Sequence, residues 1–325
     1  MSLRGKWLLF KTQHSQLKQQ MQQAFLQPSR QNRAVVPQKF PESIVTKERE
    51  VFGGRILTAG SGAPLPQHVI LFHGGAYTMQ GTTGHRKLMV TMIQQANLRV
   101  SYVDYPLVPE ATVDQTVTFA MNAYEYLRAQ YPDDQFFLMG DSAGGGLALT
   151  VLQQLQEHQE PMPAGTVLVS PWTDLSMMNP DLNVAAKHDP FLTLATLKKI
   201  GFKYAGNHPV TDPIVSPIYG NFDDLGPVML YYGTNELLRA DDQRLLQKLE
   251  TASGTPFTAH VMKSMLHDYI LWPELPESKK TFKEIKQFIC KHLITDRIEI
   301  QTKKKMASSV FEDGRGSLSS RQPNN

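Results

Sequence analysis

The stretch Phe136-Phe137-Leu138-Met139-Gly140-Asp141-Ser142-Ala143-Gly144-Gly145 decides the reading of this chain. Four apolar residues run directly into Gly-Asp-Ser-Ala-Gly, and a run of small and apolar residues continues to Leu152. That order is strand, sharp turn, helix. A Gly-x-Ser-x-Gly pentapeptide also marks ordinary Gly-rich turns, but between a strand and a helix it is a nucleophile elbow. The turn is tight enough that a Cβ at Gly140 or Gly144 would clash. It lifts the Ser142 hydroxyl out of the sheet. It also leaves the amide of Ala143, at the helix N-terminus, free to bind an oxyanion.

A second Gly-rich turn lies upstream. His73-Gly74-Gly75 follows the apolar run Val69-Ile70-Leu71-Phe72, which reads as a buried strand. A loop of this type supplies backbone amides to an oxyanion hole, here from Gly74 and Gly75 beside Ala143. The remaining triad members are expected in the order acid, then His. The strand-like run Pro227 to Tyr232 leads into Gly233-Thr234-Asn235-Glu236, so Glu236 is the best-placed carboxylate. Asp241 and Asp242 are the alternatives, but Leu237, Leu238, Leu245 and Leu246 place them inside a helix. Asp241 stays open as the acid. His267 follows the last strand-like run, Phe257 to Met262, where a general base can fold back toward Ser142. His14, His158 and His292 fall in helical stretches, and His73 reads as orienting the oxyanion loop.

The chain resembles the bacterial hormone-sensitive-lipase-like esterases of the α/β-hydrolase fold. The resemblance rests on His73-Gly74-Gly75-Ala76-Tyr77, Asp104-Tyr105-Pro106-Leu107-Val108-Pro109-Glu110 and Gly140-Asp141-Ser142-Ala143-Gly144-Gly145. It continues with Ser170-Pro171-Trp172-Thr173-Asp174, Asp212-Pro213 with Ser216-Pro217, and His267-Asp268-Tyr269. It covers roughly residues 40 to 294. It implies an α/β-hydrolase fold: a mostly parallel central sheet, helices on both faces and a helical cap. It also implies a cofactor-free serine hydrolase of short to medium acyl esters, with Ser142 as nucleophile, His267 as base and Glu236 as acid. Two departures stand out. Glu236 replaces the family's usual Asp, with Leu237 where Pro often follows. Pro106 replaces an Arg that the family often carries.

Composition agrees with a globular enzyme. The 325 residues are 41% hydrophobic, enough for one large core, and the net charge is +3. No basic patch interleaved with aromatics points to nucleic acid, and no His or acid spacing suggests a metal site. The single cysteine, Cys290, excludes an internal disulfide and is expected to be buried on a helix with Phe282, Ile285, Ile289 and Leu293. Trp7-Leu8-Leu9-Phe10 is too short for a secretory h-region, and no run reaches the length of a membrane span. The expectation is a cytoplasmic protein without stable membrane insertion, acting on a small-molecule ester, with homodimerisation left open.

Three segments are expected. In residues 1–43, Leu3, Trp7, Phe10, Leu17, Met21 and Phe25 recur at three- and four-residue steps as one amphipathic helix. A cap over the site mouth is preferred over a membrane foot for it, and a connector follows. Residues 44–294 form the catalytic domain, opened by an edge hairpin turning at Phe52-Gly53-Gly54 and interrupted at about 176–213 by a second cap element. Residues 295–325 read as a flexible polar tail. Two functions compete with the esterase: an amidase or deacetylase on the same triad, and a non-catalytic binding protein. The joint presence of Ser142 and His267 argues against the latter.

Overall fold

The computed structural model describes residues 1–28 and 39–293. The expected tail and most of the connector lie outside those residues. The sheet has eight strands in the order β1-β2-β4-β3-β5-β6-β7-β8. They are β1 (Val45–Val51), β2 (Gly54–Gly60), β3 (Gln67–Phe72), β4 (Arg99–Asp104), β5 (Gln135–Asp141), β6 (Gly165–Val169), β7 (Val228–Asn235) and β8 (Phe257–Leu266). The first two form an antiparallel hairpin, and β2 runs antiparallel to β4. Every pairing from β4 to β8 is parallel.

A parallel sheet needs cover on both faces, because each crossover lays a helix on one of them. The sequence of β3 shows this directly. Ile70 and Phe72 join one apolar core, and Val69 and Leu71 join the other, as the two-residue period of a strand requires. The first core takes its helical cover from α4 (Val113–Gln130), α5 (Ala143–Glu157) and α8 (Arg239–Thr251). The second takes it from α3 (Thr83–Ala96) and α9 (Pro276–Lys291). On α4 the stripe Val113, Val117, Ala120, Tyr124 and Leu127 is buried throughout. Residues 176–213 carry only α6 (Leu182–Ala185) and α7 (Leu194–Ala205) as regular structure.

Two expectations are corrected. The N-terminal segment is two helices, α1 (Leu3–Gln13) and α2 (Leu17–Leu26), rather than one. Ser15 breaks it: its Oγ donates to the Thr12 carbonyl at 2.9 Å and accepts from the Leu17 amide at 3.2 Å. Serine competes with the helix for backbone partners in this way. Cys290 is exposed. Its neighbours Phe288 and Ile289 are buried on α9, and one further residue turns a helix by about 100°, which carries Cys290 out of the apolar stripe. Arg55 of β2 places Nη2 2.8 Å from Asp104.

Candidate active site

Ser142 stands between β5 and α5 with φ 51° and ψ −121°, a conformation that costs an L-residue about 1–3 kcal/mol. Close packing holds it there. A Cβ on Gly140 would meet the Gly144 carbonyl oxygen at 2.2 Å, and one on Gly144 would meet the Phe72 carbonyl oxygen at 2.1 Å. The Ser142 amide donates to Val169 at 3.0 Å, and its carbonyl accepts from Trp172 at 2.8 Å. Backbone bonds on both sides therefore fix the residue, and its side chain takes no part in capping α5.

The three elements that end at this edge of the sheet bring three side chains into line. His267 follows β8 and places Nε2 3.0 Å from Ser142 Oγ. Glu236 follows β7 and places Oε2 2.7 Å from His267 Nδ1. The other carboxylate oxygen, Oε1, accepts from Ser170 Oγ at 3.1 Å and from the Gly233 amide. Glu236 is thus saturated with donors, which aims Oε2 at the imidazole. Asp241 lies elsewhere, on α8, accepting from Asn179 at 2.9 Å and Arg244 at 3.0 Å. Burial, with the nearby Asp174 charge, pushes its carboxyl up to about 6. The structure brings Glu236, not Asp241, to His267.

The oxyanion loop is oriented peptide by peptide. Tyr105 donates its hydroxyl to the His73 carbonyl at 2.5 Å. The amide of the same peptide unit, that of Gly74, points to Asp141 Oδ2 at 3.1 Å. Gly74 is therefore not an open donor, contrary to expectation, because its N–H already donates to the Asp141 carboxylate. The next peptide runs the other way. His73 Nδ1 donates to the Gly74 carbonyl at 2.7 Å, which fixes the peptide unit that carries the Gly75 amide. Among the described residues neither the Gly75 nor the Ala143 amide has a hydrogen-bond partner. Burial, with the neighbouring His85 adding to it, pushes the His73 imidazole down to about 3, so it stays a neutral donor.

Asp141 is held in turn by His85, whose Nε2 lies 3.1 Å from Oδ2, while its Nδ1 accepts from the Thr82 amide at 2.9 Å. Burial opposes charge on both groups. Even so, their mutual attraction raises the imidazole and lowers the carboxyl. A cavity of about 310 Å³ opens onto Ser142 and His267. Leu17, Met21 and Phe25 of α2 form one wall, and Phe191, Leu192 and Trp272 form another. Phe191 and Trp272 stack at 5.9 Å.

The family model for the alpha/beta hydrolase fold matches residues 69–271. The chain belongs to the α/β-hydrolase family, in its hormone-sensitive-lipase-like esterase branch. Over 244 residues it is 31% identical to an esterase of Acinetobacter venetianus, covering 73% of this chain and 78% of that one. An acetyl-hydrolase of Streptomyces hygroscopicus is 30% identical, over 68% of this chain and 74% of its own. A crystal structure of an esterase of the bacterial hormone-sensitive lipase family superposes with a TM-score of 0.73 at 26% identity. That match covers 86% of this chain and 99% of the other. As a member of this branch the protein is a hydrolase of carboxylic esters. Among the described residues no helix is long and apolar enough to cross a membrane, and no His, Cys, Asp and Glu group could hold a metal ion.

Sequence reading gave no role to two residues of this esterase, Asp189 and Asp268. Asp189 accepts from the amides of Phe191 and Leu192 at 2.6 and 2.8 Å and from that of Leu237 at 2.6 Å. It thereby ties the cavity wall to the loop of Glu236. Asp268 places Oδ2 3.1 Å from His267 Nε2, on the Ser142 side of the ring. Burial pushes Asp268 up to about 7, and Asp141 and Glu236 add to this against the pull of His267. For His267, burial is outweighed by Asp268 and Glu236, which raise it well above the ordinary histidine value. A base must be neutral to accept the serine proton. With His267 as the base, activity is expected only above that raised value and should be lost as pH falls through it. Asp268→Asn removes one raising charge and keeps a side chain tolerant of the left-handed backbone at φ 52°. The acid limb of kcat/KM against pH is expected to move to lower pH in this variant. An unmoved limb would contradict the role given to Asp268.

Proposed function

We propose that this esterase cleaves carboxylic esters of short to medium acyl chains through an acyl-enzyme on Ser142. The observation that carries the reading is the unbroken line of hydrogen bonds Ser142–His267–Glu236, at 3.0 and 2.7 Å, of which Ser142 and His267 line the cavity. Ser142 Oγ attacks the ester carbonyl while His267 Nε2 takes its proton. Glu236 holds Nδ1–H, which sets the tautomer and stabilises the imidazolium. The amides of Gly75 and Ala143 receive the oxyanion, each worth about 3–4 kcal/mol. The C–O bond to the alcohol breaks as His267 Nε2 returns the proton to it. Water then repeats the sequence on the acyl-enzyme and releases the acid.

In this reading α2 and residues 176–213 act as the cap. The walls supplied by Leu17, Met21, Phe25, Phe191 and Trp272 are apolar, which suits an acyl chain. A series of p-nitrophenyl esters from acetate to decanoate, run beside the matching anilides, tests the assignment. Turnover is expected on the esters, with a maximum at short to medium chain length and little on anilides. Anilide turnover at comparable kcat/KM would make the enzyme an amidase, and no turnover on either series would overturn the proposal.

A further inference from the structure

The first helix leaves an apolar stripe in solvent. Leu3, Trp7 and Phe10 are 84%, 62% and 62% exposed. They lie at i, i+4 and i+7, on one line along α1. The opposite side of the same helix is already occupied: Gly5 and Thr12 are buried, and Leu8 and Leu9 pack against the core. Ser2 anchors the start of the helix through a 2.9 Å hydrogen bond from its Oγ to Glu277 of α9. The helix is therefore apolar on two opposed faces, and the protein body covers only one of them. α2 differs, since its Leu17, Met21 and Phe25 all line the cavity.

Charge identifies what suits the second face. At about 100° per residue, Lys6 stands on one flank of the stripe, and Arg4 and Lys11 stand on the other. All three are exposed. Among the described residues none has a carboxylate partner, and Lys11 lies 5.1 Å over the Trp7 ring. The bias extends along the chain. Residues 1–41 hold Arg4, Lys6, Lys11, Lys18, Arg30, Arg33 and Lys39 and no Asp or Glu, although the whole chain carries only +3. The remainder is thus net acidic. Apolar and aromatic side chains on a short helix, flanked by cations on both sides, match an anionic lipid surface. The apolar side chains enter the acyl boundary, and the cations stay at the headgroups.

We propose that α1 is a peripheral anchor that lays this enzyme on anionic lipid bilayers. Its in-plane position would set the adjoining α2, one wall of the active-site cavity, beside the lipid interface. Lys18 fastens that wall to the 176–213 insertion through the Asp189 carbonyl, at 2.7 Å, so docking need not disturb it.

Sedimentation of the full chain with vesicles tests the proposal. Vesicles of phosphatidylcholine with phosphatidylglycerol are compared with vesicles of phosphatidylcholine alone. Binding is expected to the anionic vesicles at low salt, with a blue shift of tryptophan emission that the Trp7→Ser variant lacks, and it should weaken as salt rises. Leu3→Ser, Trp7→Ser and Phe10→Ser together are expected to weaken partitioning roughly tenfold or more. Arg4→Glu, Lys6→Glu and Lys11→Glu together should do the same. Both variants should hydrolyse soluble p-nitrophenyl acetate at the parent rate, which shows that they fold. Should the apolar triple variant fail to fold, Trp7→Ser alone gives the same readout. No binding to anionic vesicles, or binding that survives both sets of changes, would overturn the proposal. So would a parent that ignores vesicles but forms a dimer that the apolar variant dissolves.

Discussion

Ser142→Ala is expected to lower kcat on p-nitrophenyl butyrate by about 10⁴-fold or more, with far-UV circular dichroism and thermal melting close to the parent. The two halves of this expectation have separate causes. In the proposed mechanism the hydroxyl is the attacking group, so its loss removes the covalent route. The elbow itself is held by other groups: the Ser142 amide on Val169, its carbonyl under Trp172 and Gly146, and the close packing at Gly140 and Gly144. Oγ contributes a bond to His267 and no cap to α5. A variant that kept more than about a tenth of parental activity would remove Ser142 from the mechanism.

Glu236→Gln is expected to lower kcat by about 10³–10⁴-fold, and the geometry gives the reason. Oε1 of Glu236 faces two donors, Ser170 Oγ–H and Gly233 N–H. The carbonyl of a glutamine must take that position, because its amide group cannot accept. Its NH₂ then faces His267 Nδ1, which becomes an acceptor, and the ring proton moves to Nε2. An imidazole protonated at Nε2 cannot take the proton of Ser142. Asp241→Asn, by contrast, changes only contacts to Asn179 and Arg244, and kcat should stay within a few-fold of the parent. Steady-state kinetics on the pair decide between them. A silent Glu236→Gln beside an inactive Asp241→Asn would transfer the acid role to Asp241.

Local signals carried much of this site. Gly140, Gly144 and the flanking runs expose an elbow because backbone sterics demand those glycines in that order. Glu236 and His267 were legible because each directly follows a strand, at the edge where parallel strands deliver their loops. Partners set by tertiary contact left no such trace. Tyr105 meets the His73 carbonyl only once β3 and β4 are paired, and Asp189 meets the Leu237 amide only once the 176–213 insertion has folded against the loop after β7. No spacing rule foretells that the Gly74 amide is already engaged by Asp141. The N-terminal helix shows the opposite failure. Its apolar periodicity continues through Ser15, and the single-helix reading followed the pattern past a residue whose hydroxyl ends the helix. Periodicity also cannot say which of two apolar faces is covered. The exposed stripe on α1 and the buried one beneath it look alike in sequence.

The proposed mechanism turns on a covalent acyl-enzyme at Ser142. The direct test is to treat the enzyme with a p-nitrophenyl alkylphosphonate, which phosphonylates an activated serine and stays attached. Intact mass and peptide mapping then locate the adduct. One adduct per chain is expected, on Ser142, with activity falling in proportion to labelling and with no labelling of the Ser142→Ala variant. Full inactivation with the adduct on another residue, or full activity after Ser142 is labelled, would contradict the mechanism.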